Sequence, residues 1–257
     1  MTESEAAFAA AVSLLGRLRG ARLCVDPDVT WLASGRPLAS LNNVFAVALR
    51  GDPAAIDARI EAVQADVSDG GSLPATWWIG PGTTPPDLAA HLQAYGMTEA
   101  EPEFGMVVDV DGLPRPAGDV EEVGEAGLDE WLGVMGRSYG WSDTRAIAAW
   151  SELYRAAFGD PEAPWWHVVV RDGGGAAVAC ASLFPAGETG FVTNVGTVSE
   201  ARGAGHGTSA TLAVLTIARR LGYRRASLTA SVMGRGVYAR IGFREDARLE
   251  RFVSVGT

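Results

Sequence analysis

The sequence predicts an α/β (α+β) fold in two similar halves, each a mixed, mostly antiparallel sheet flanked by helices. Three observations carry this expectation. Period-two and 3.6-residue apolar patterns alternate along the whole chain. The run Asp111-Gly-Leu-Pro-Arg-Pro-Ala-Gly118 breaks them in the middle with turn residues. A short segment late in the first half also recurs late in the second. With 257 residues, 47% of them apolar, the chain can bury one large core or two cores of about 110–140 residues each. The break places the domains at 1–114 and 115–257.

In the first half, residues 21–25 and 43–49 alternate as strands. Residues 53–67 form an amphipathic helix opened by Asp52, 75–79 a strand, and 86–95 a helix started by Pro85-Pro86-Asp87 and stopped by Gly96. A strand over 104–110 closes this half. The second half opens with a strand near 120–123 and helical periodicity over 128–139 and 144–158. Strands at 165–171, 176–184 and 190–198 follow, joined by glycine-rich turns. Then come a helix over 206–221, a strand over 225–230, a short helix over 233–241 and a last strand over 248–255. An antiparallel meander followed by a βαβ crossover makes each sheet mixed.

The net charge of -10 opposes nucleic acid, whose affinity comes from cations set against phosphates. No run of about 18 uncharged apolar residues exists to span a membrane, and the first residues lack the basic start of a signal peptide. The expectation is a cytoplasmic protein. Cys24 and Cys180 lie in alternating apolar segments and are expected to be reduced and buried. His91, His167 and His206 lack metal-ligand spacing, so no metal is expected. The acidity is uneven: residues 1–114 hold 15 Asp/Glu against 6 Arg, and residues 115–257 hold 16 against 15. The second half is the better host for an anion.

The stretch Arg202-Gly203-Ala204-Gly205-His206-Gly207-Thr208 joins a strand to a helix. Its glycines permit a tight turn whose N–H groups converge, and the helix adds its unsatisfied donors and positive dipole end. As a bare pattern this is either an anion cradle or an ordinary strand-to-helix turn. It is not a P-loop, because the sequence contains no Lys. Nor is it the dinucleotide fingerprint, which needs glycine where Thr208 stands.

Arg202-Gly203-Ala204-Gly205-His206-Gly207 resembles the Arg/Gln-x-x-Gly-x-Gly/Ala signature of the GNAT superfamily of acetyl-CoA-dependent N-acetyltransferases. Val237-Tyr238-Ala239-Arg240-Ile241-Gly242-Phe243 is similar to the family's Tyr-x-x-x-Gly-Phe segment. The resemblance covers 118–257. It implies that the main chain of Val195, Gly196, Thr197 and Val198 binds the pantetheine arm of acetyl-CoA, and that the backbone from Arg202 to Thr208 holds its pyrophosphate. Tyr238 falls where the family places its general acid, though packing of its helix is the alternative role. Ser231 stands where many relatives carry a cofactor-contacting Asn. Tyr139 and Trp141 lie where the first two helices would wall the acceptor. Many relatives carry a Glu base on the strand before the loop, and Asn194 stands there here. Water relayed through Asn194, or Glu188, Asp143 or Glu152, remain candidates for the base.

The implied reaction is direct attack of a neutral amine on the acetyl group, the amine being that of a small molecule, with no protein nucleophile. Two other readings stay open: a catalytically silent acyl-CoA-binding or regulatory module, and an acetyltransferase acting on a protein N-terminus or lysine.

The first half resembles a worn copy of the second. His91-Leu92-Gln93-Ala94-Tyr95-Gly96-Met97 lines up with Val237 to Phe243, and Leu92 stands where Tyr238 does. The earlier junction Val47-Ala48-Leu49-Arg50-Gly51-Asp52-Pro53-Ala54 has no cradle, and Asp52 caps the helix where a pyrophosphate would sit. This arrangement is similar to tandem GNAT proteins.

Overall fold

A computed structural model of the protein describes residues 1–141, 144–157 and 165–256. Its elements run α1 (Glu3–Leu14), β1 (Arg22–Val25), β2 (Thr30–Ala33), β3 (Asn43–Phe45), α2 (Pro53–Val67), β4 (Ala75–Ile79), α3 (Leu88–Ala94), β5 (Thr98–Asp109) and β6 (Asp119–Glu122). They continue with α4 (Leu128–Ser138), α5 (Thr144–Ala157), β7 (Trp166–Arg171), β8 (Ala177–Ala186), β9 (Thr189–Thr197), α6 (His206–Arg220), β10 (Arg225–Ser231), α7 (Val232–Ile241) and β11 (Arg244–Ser254).

The chain forms two compact units. The first is Met1–Gly105 with Ala230–Met233 and Glu245–Thr257, and the second is Met106–Thr229 with Gly234–Arg244. The sequence suggested one cut after residue 114, whereas these units are discontinuous in the chain. Hydrogen-bond partners decide membership: β11, last in sequence, pairs antiparallel with β4 from Glu250 opposite Ile79 to Ser254 opposite Ala75.

In the first unit β1, β2 and β3 form an antiparallel meander. The α2 crossover then lays β4 parallel to β3. Asp52 caps α2 by accepting from the Ala55 N–H at 2.9 Å, and Pro53 takes the first helical position. Ile56, Ile60, Val63 and Val67 recur at helical spacing and are buried with Trp77, Leu88, Leu92 and Phe252 in the core of this unit. Two of its elements go beyond the sequence expectation, α1 and β2. The expected strand over 43–49 stops at Phe45 because Ala46 takes a left-handed φ of 51°.

In the second unit β6, β7, β8 and β9 form an antiparallel meander, and α6 crosses over to lay β10 parallel to β9. Four residues pair in that parallel ladder, from Thr189 opposite Arg225 to Val192 opposite Leu228. Ala210, Val214, Ile217 and Ala218 of α6 are buried, as are Val168, Val169 and Val170 of β7 and the whole of 177–184 on β8. A strand buried on both faces reads as a continuous apolar run, as Ala177-Val178-Ala179-Cys180-Ala181 does.

Candidate active site

The ladder between β9 and β10 ends at Val192 and Leu228, yet β9 runs on to Thr197. The two strands therefore part, and the main chain of the last β9 residues loses its parallel partner. A bulge sits at the parting. Ser182 is opposite Thr193 and Cys180 is opposite Gly196, so Asn194 and Val195 together face Ala181. Asn194 adopts φ 54°, a left-handed conformation that asparagine tolerates better than most residues.

Beyond β9 the chain makes a short 3-10 turn at Ser199–Ala201 and enters the glycine loop. Gly203 and Gly205 have φ of 82° and 87°, and no atom lies near enough to obstruct an added Cβ. Their glycines are required by backbone conformation, not by space. Gly207 differs, because a Cβ there would come within 3.0 Å of Thr197 Oγ1. Gly205 is the N-cap of α6 and offers no side-chain cap. Since the first bond back to Gly205 is made by the Ser209 N–H, the donors of His206, Gly207 and Thr208 are free of intrahelical partners. That is the arrangement an anion needs.

Arg202 braces the loop. Its Nε donates to the Thr197 carbonyl at 3.2 Å and its Nη2 to the Ser138 carbonyl at 3.0 Å, so the guanidinium ties the loop to the ends of β9 and α4. Glu200 is exposed, and its carboxyl is held below the usual range by its own backbone N–H and by the Ser199 hydroxyl.

Under the bulge lies a polar chain that sequence reasoning did not find. Asn194 Nδ2 donates to Tyr154 Oη at 2.5 Å and to Ser182 Oγ at 3.2 Å, and Ser182 Oγ is 2.8 Å from His167 Nδ1. Cys180 Sγ donates to the Asn194 carbonyl at 3.4 Å. Burial pushes the Tyr154 phenol up, drops His167 to about 3 and raises Cys180 to about 12. At neutral pH all three are uncharged. The carboxamide of Asn194 is turned into this network.

Tyr139 and Trp141, at the end of α4, begin a run of stacked rings. Centroids are 5.6 Å apart for Tyr139 and Trp141, 6.0 Å for Trp141 and Trp150, and 5.5 Å for Trp150 and Tyr154. Tyr139 is 49% exposed, and its hydroxyl donates to the Val195 carbonyl at 3.4 Å, so this aromatic face reaches the bulge. Of the candidate bases, Glu188 is exposed in the turn between β8 and β9 and Glu152 is exposed on α5. Asp143 lies outside the described residues.

Tyr238 lies on α7, buried, with its ring 5.8 Å from that of Phe243 at a T-shaped angle. Its carbonyl accepts from the Phe243 N–H, and the Gly242 N–H bonds Ala239 O. With Gly242 at φ 115°, this is a Schellman stop, in which a left-handed glycine ends the helix and the flanking apolar residues meet. Tyr-x-x-x-Gly-Phe is therefore a helix terminus as well as a candidate catalytic motif. Ser231 is the exposed last residue of β10 and belongs to the first unit.

Residues 128–243 match the family model described as the acetyltransferase (GNAT) family. The chain carries a GNAT acetyltransferase domain. The matched segment is an acyltransferase domain, and the expected fold class is the observed one. The chain resembles a GCN5-related N-acetyltransferase from Kribbella flavida at 23% identity and TM-score 0.70, over 98% of this chain and 96% of that one. It also resembles a conserved protein from Staphylococcus epidermidis, described as functionally unknown, at 14% identity and TM-score 0.72, over 91% and 93%. A tandem GNAT protein from the clavulanic acid biosynthesis pathway aligns at 15% identity and TM-score 0.59, over 98% and 88%. The shared fold thus extends over nearly the whole chain, not only the matched 128–243. No curated protein matches it by sequence.

Proposed function

We propose that this acetyltransferase moves the acetyl group of acetyl-CoA directly onto the primary amine of a small molecule. The observation that carries the reading is the uncapped N-terminus of α6, reached through two left-handed glycines, directly after a strand that has parted from its neighbour. Main chain from Val195 to Val198 takes the pantetheine arm, and the N–H groups of the loop from Arg202 to Thr208 take the pyrophosphate. The Val195 N–H supports this role. The Asn194 carbonyl of the same planar peptide is turned to Cys180, so that N–H points away from β8 and is available to polarise the acyl oxygen.

The amine nitrogen bonds to the acetyl carbon, the carbon–sulfur bond breaks, and the departing thiolate takes a proton. Tyr238 is the proposed donor of that proton. The Tyr139 and Trp141 face walls the acceptor. Because Asn194, Tyr154, His167 and Cys180 take up no proton at neutral pH, the amine arrives neutral or loses its proton to water. The first half, in this reading, is a copy that has lost the cofactor site.

Saturating acetyl-CoA, at about 100 times its Kd, should raise Tm by roughly 5 °C or more. A panel of amines should include one that releases free CoA. Tyr238→Phe keeps the ring of the helix stop and removes the hydroxyl. Turnover should fall by about 10²- to 10⁴-fold, with the acetyl-CoA-induced rise in Tm intact. Absence of any stabilisation by millimolar acetyl-CoA would sink the reading.

A further inference from the structure

On the transferase reading above, the β9 main chain meets the acyl group, so whatever sets that main chain sets the reaction. We infer that Asn194 is a positioning residue and not the vestige of a base: its carboxamide, clamped between Tyr154 and Ser182, holds the β9 bulge in its working conformation.

The carboxamide has two N–H protons and both are engaged, one on Tyr154 Oη at 2.5 Å and one on Ser182 Oγ at 3.2 Å. An amide nitrogen so held has no lone pair with which to accept a proton from an amine. The anchors are rigid. Tyr154 is 1% exposed and Ser182 is fully buried, and the Tyr154 ring is packed against Trp131, Trp150, Trp165 and Phe184. His167, 4.4 Å from the Trp131 ring, ends the chain. A neutral imidazole with Nδ1 unprotonated accepts a hydrogen bond from the Ser182 hydroxyl, whose oxygen in turn accepts from Asn194. The backbone of the bulge is gripped as well: Cys180 donates to the Asn194 carbonyl and Tyr139 to the Val195 carbonyl. Every partner is uncharged and all but Tyr139 are buried, so releasing any of the buried ones leaves a buried polar group unsatisfied. The clamp therefore fixes the φ of Asn194, the plane of the peptide that follows it, and with them the aim of the Val195 N–H.

The test uses the full-length chain, acetyl-CoA and the best amine of the panel, with three variants. Tyr154→Phe removes the acceptor and keeps the ring. Asn194→Gly removes the carboxamide and keeps the left-handed φ. Asn194→Glu supplies a carboxylate where a vacated base would want one. If Asn194 positions the bulge, the first two lower kcat by about 10- to 100-fold, as a displacement near 1 Å would. The acetyl-CoA KM stays within about twofold, because the pyrophosphate loop is untouched. Asn194→Glu then also lowers kcat and adds no new acidic limb to the pH–rate profile.

A rise in kcat for Asn194→Glu, or a new limb in the carboxylate range, overturns the inference. So does wild-type kcat in Asn194→Gly, the variant that decides the matter should Tyr154→Phe fail to fold. If the wild type is stabilised by acetyl-CoA but acetylates no amine, the transferase reading itself fails, and this inference fails with it.

Discussion

His167 is 2% exposed, and burial presses its imidazole down to about 3. The unfolded chain binds this proton near pH 6.5 and the folded protein does not, so stability is lost as pH falls through 6.5. Between pH 6.5 and 5 the loss should be about 2 kcal/mol, at about 1.4 kcal/mol per pH unit. Carboxylates held low by arginine partners, such as Asp28 by Arg59 and Glu130 by Arg171, lose their contribution only at more acid pH, which leaves that window to histidine. Denaturant melts at pH 7 and pH 5 should show the loss in the wild type and a smaller one in His167→Gln; equal losses in both would refute the assignment. The glycine loop was legible in sequence because residues 202–208 are contiguous and each glycine has a chemical reason. The clamp was not. Asn194 stands 40 residues from Tyr154 and 12 from Ser182, and only the bulged pairing of β8 with β9 brings them together.

Among the elements, α3, α4, α6 and α7 all end on the same device. The N–H groups of Met97, Trp141, Tyr223 and Phe243 reach back to the carbonyls of Leu92, Gly136, Ala218 and Tyr238, each across a left-handed glycine. The similarity between residues 91–97 and 237–243 is thus in part a shared helix stop, which is why Leu92 can replace Tyr238 without harm to the fold. Caps also explain which elements were legible. Asp52 and Pro53 marked α2 to the residue. Thr2 and Glu5 form a capping box at the start of α1, but its apolar residues do not form a clean stripe, and no helix was expected there. β2 is four residues long, too short for its alternation to stand out. The start of α6 yields a prediction of its own. Gly205→Ala places a Cβ in open space at φ 87°, so its cost of about 1–2 kcal/mol is conformational. The loop can relieve it only by turning the N–H groups. Acetyl-CoA titration of this variant should show about 10-fold weaker binding or worse with the fold retained; unchanged affinity would separate the loop from the cofactor.

For the whole molecule the decisive quantity is how many acetyl-CoA molecules one chain binds. The first unit has the same βαβ crossover as the second, but α1 narrows its opening to a small cavity lined by Glu5, Phe8, Phe45, Val47 and Trp78. The β3–β4 ladder ends at Val44 opposite Trp77, and α1 packs beside the gap. The Phe8 ring lies 4.6 Å from the Trp78 ring and 6.3 Å from Phe45, and Glu5 accepts from the Gly82 N–H at 3.2 Å. The chain then closes again through the Ala48–Thr84 bridge. At the start of α2, where the second unit leaves its donors bare, Asp52 takes the Ala55 N–H and sets a carboxylate against any phosphate. The surplus acidity of residues 1–114 adds to that repulsion. Calorimetric titration with acetyl-CoA should therefore give one site per chain. Phe8→Ala should cost about 3–5 kcal/mol of stability, as emptying an aromatic site does, without creating a second site, because Asp52 remains. A stoichiometry of two in the wild type would show that the first half keeps a cofactor function of its own, and the proposed division of labour would be wrong.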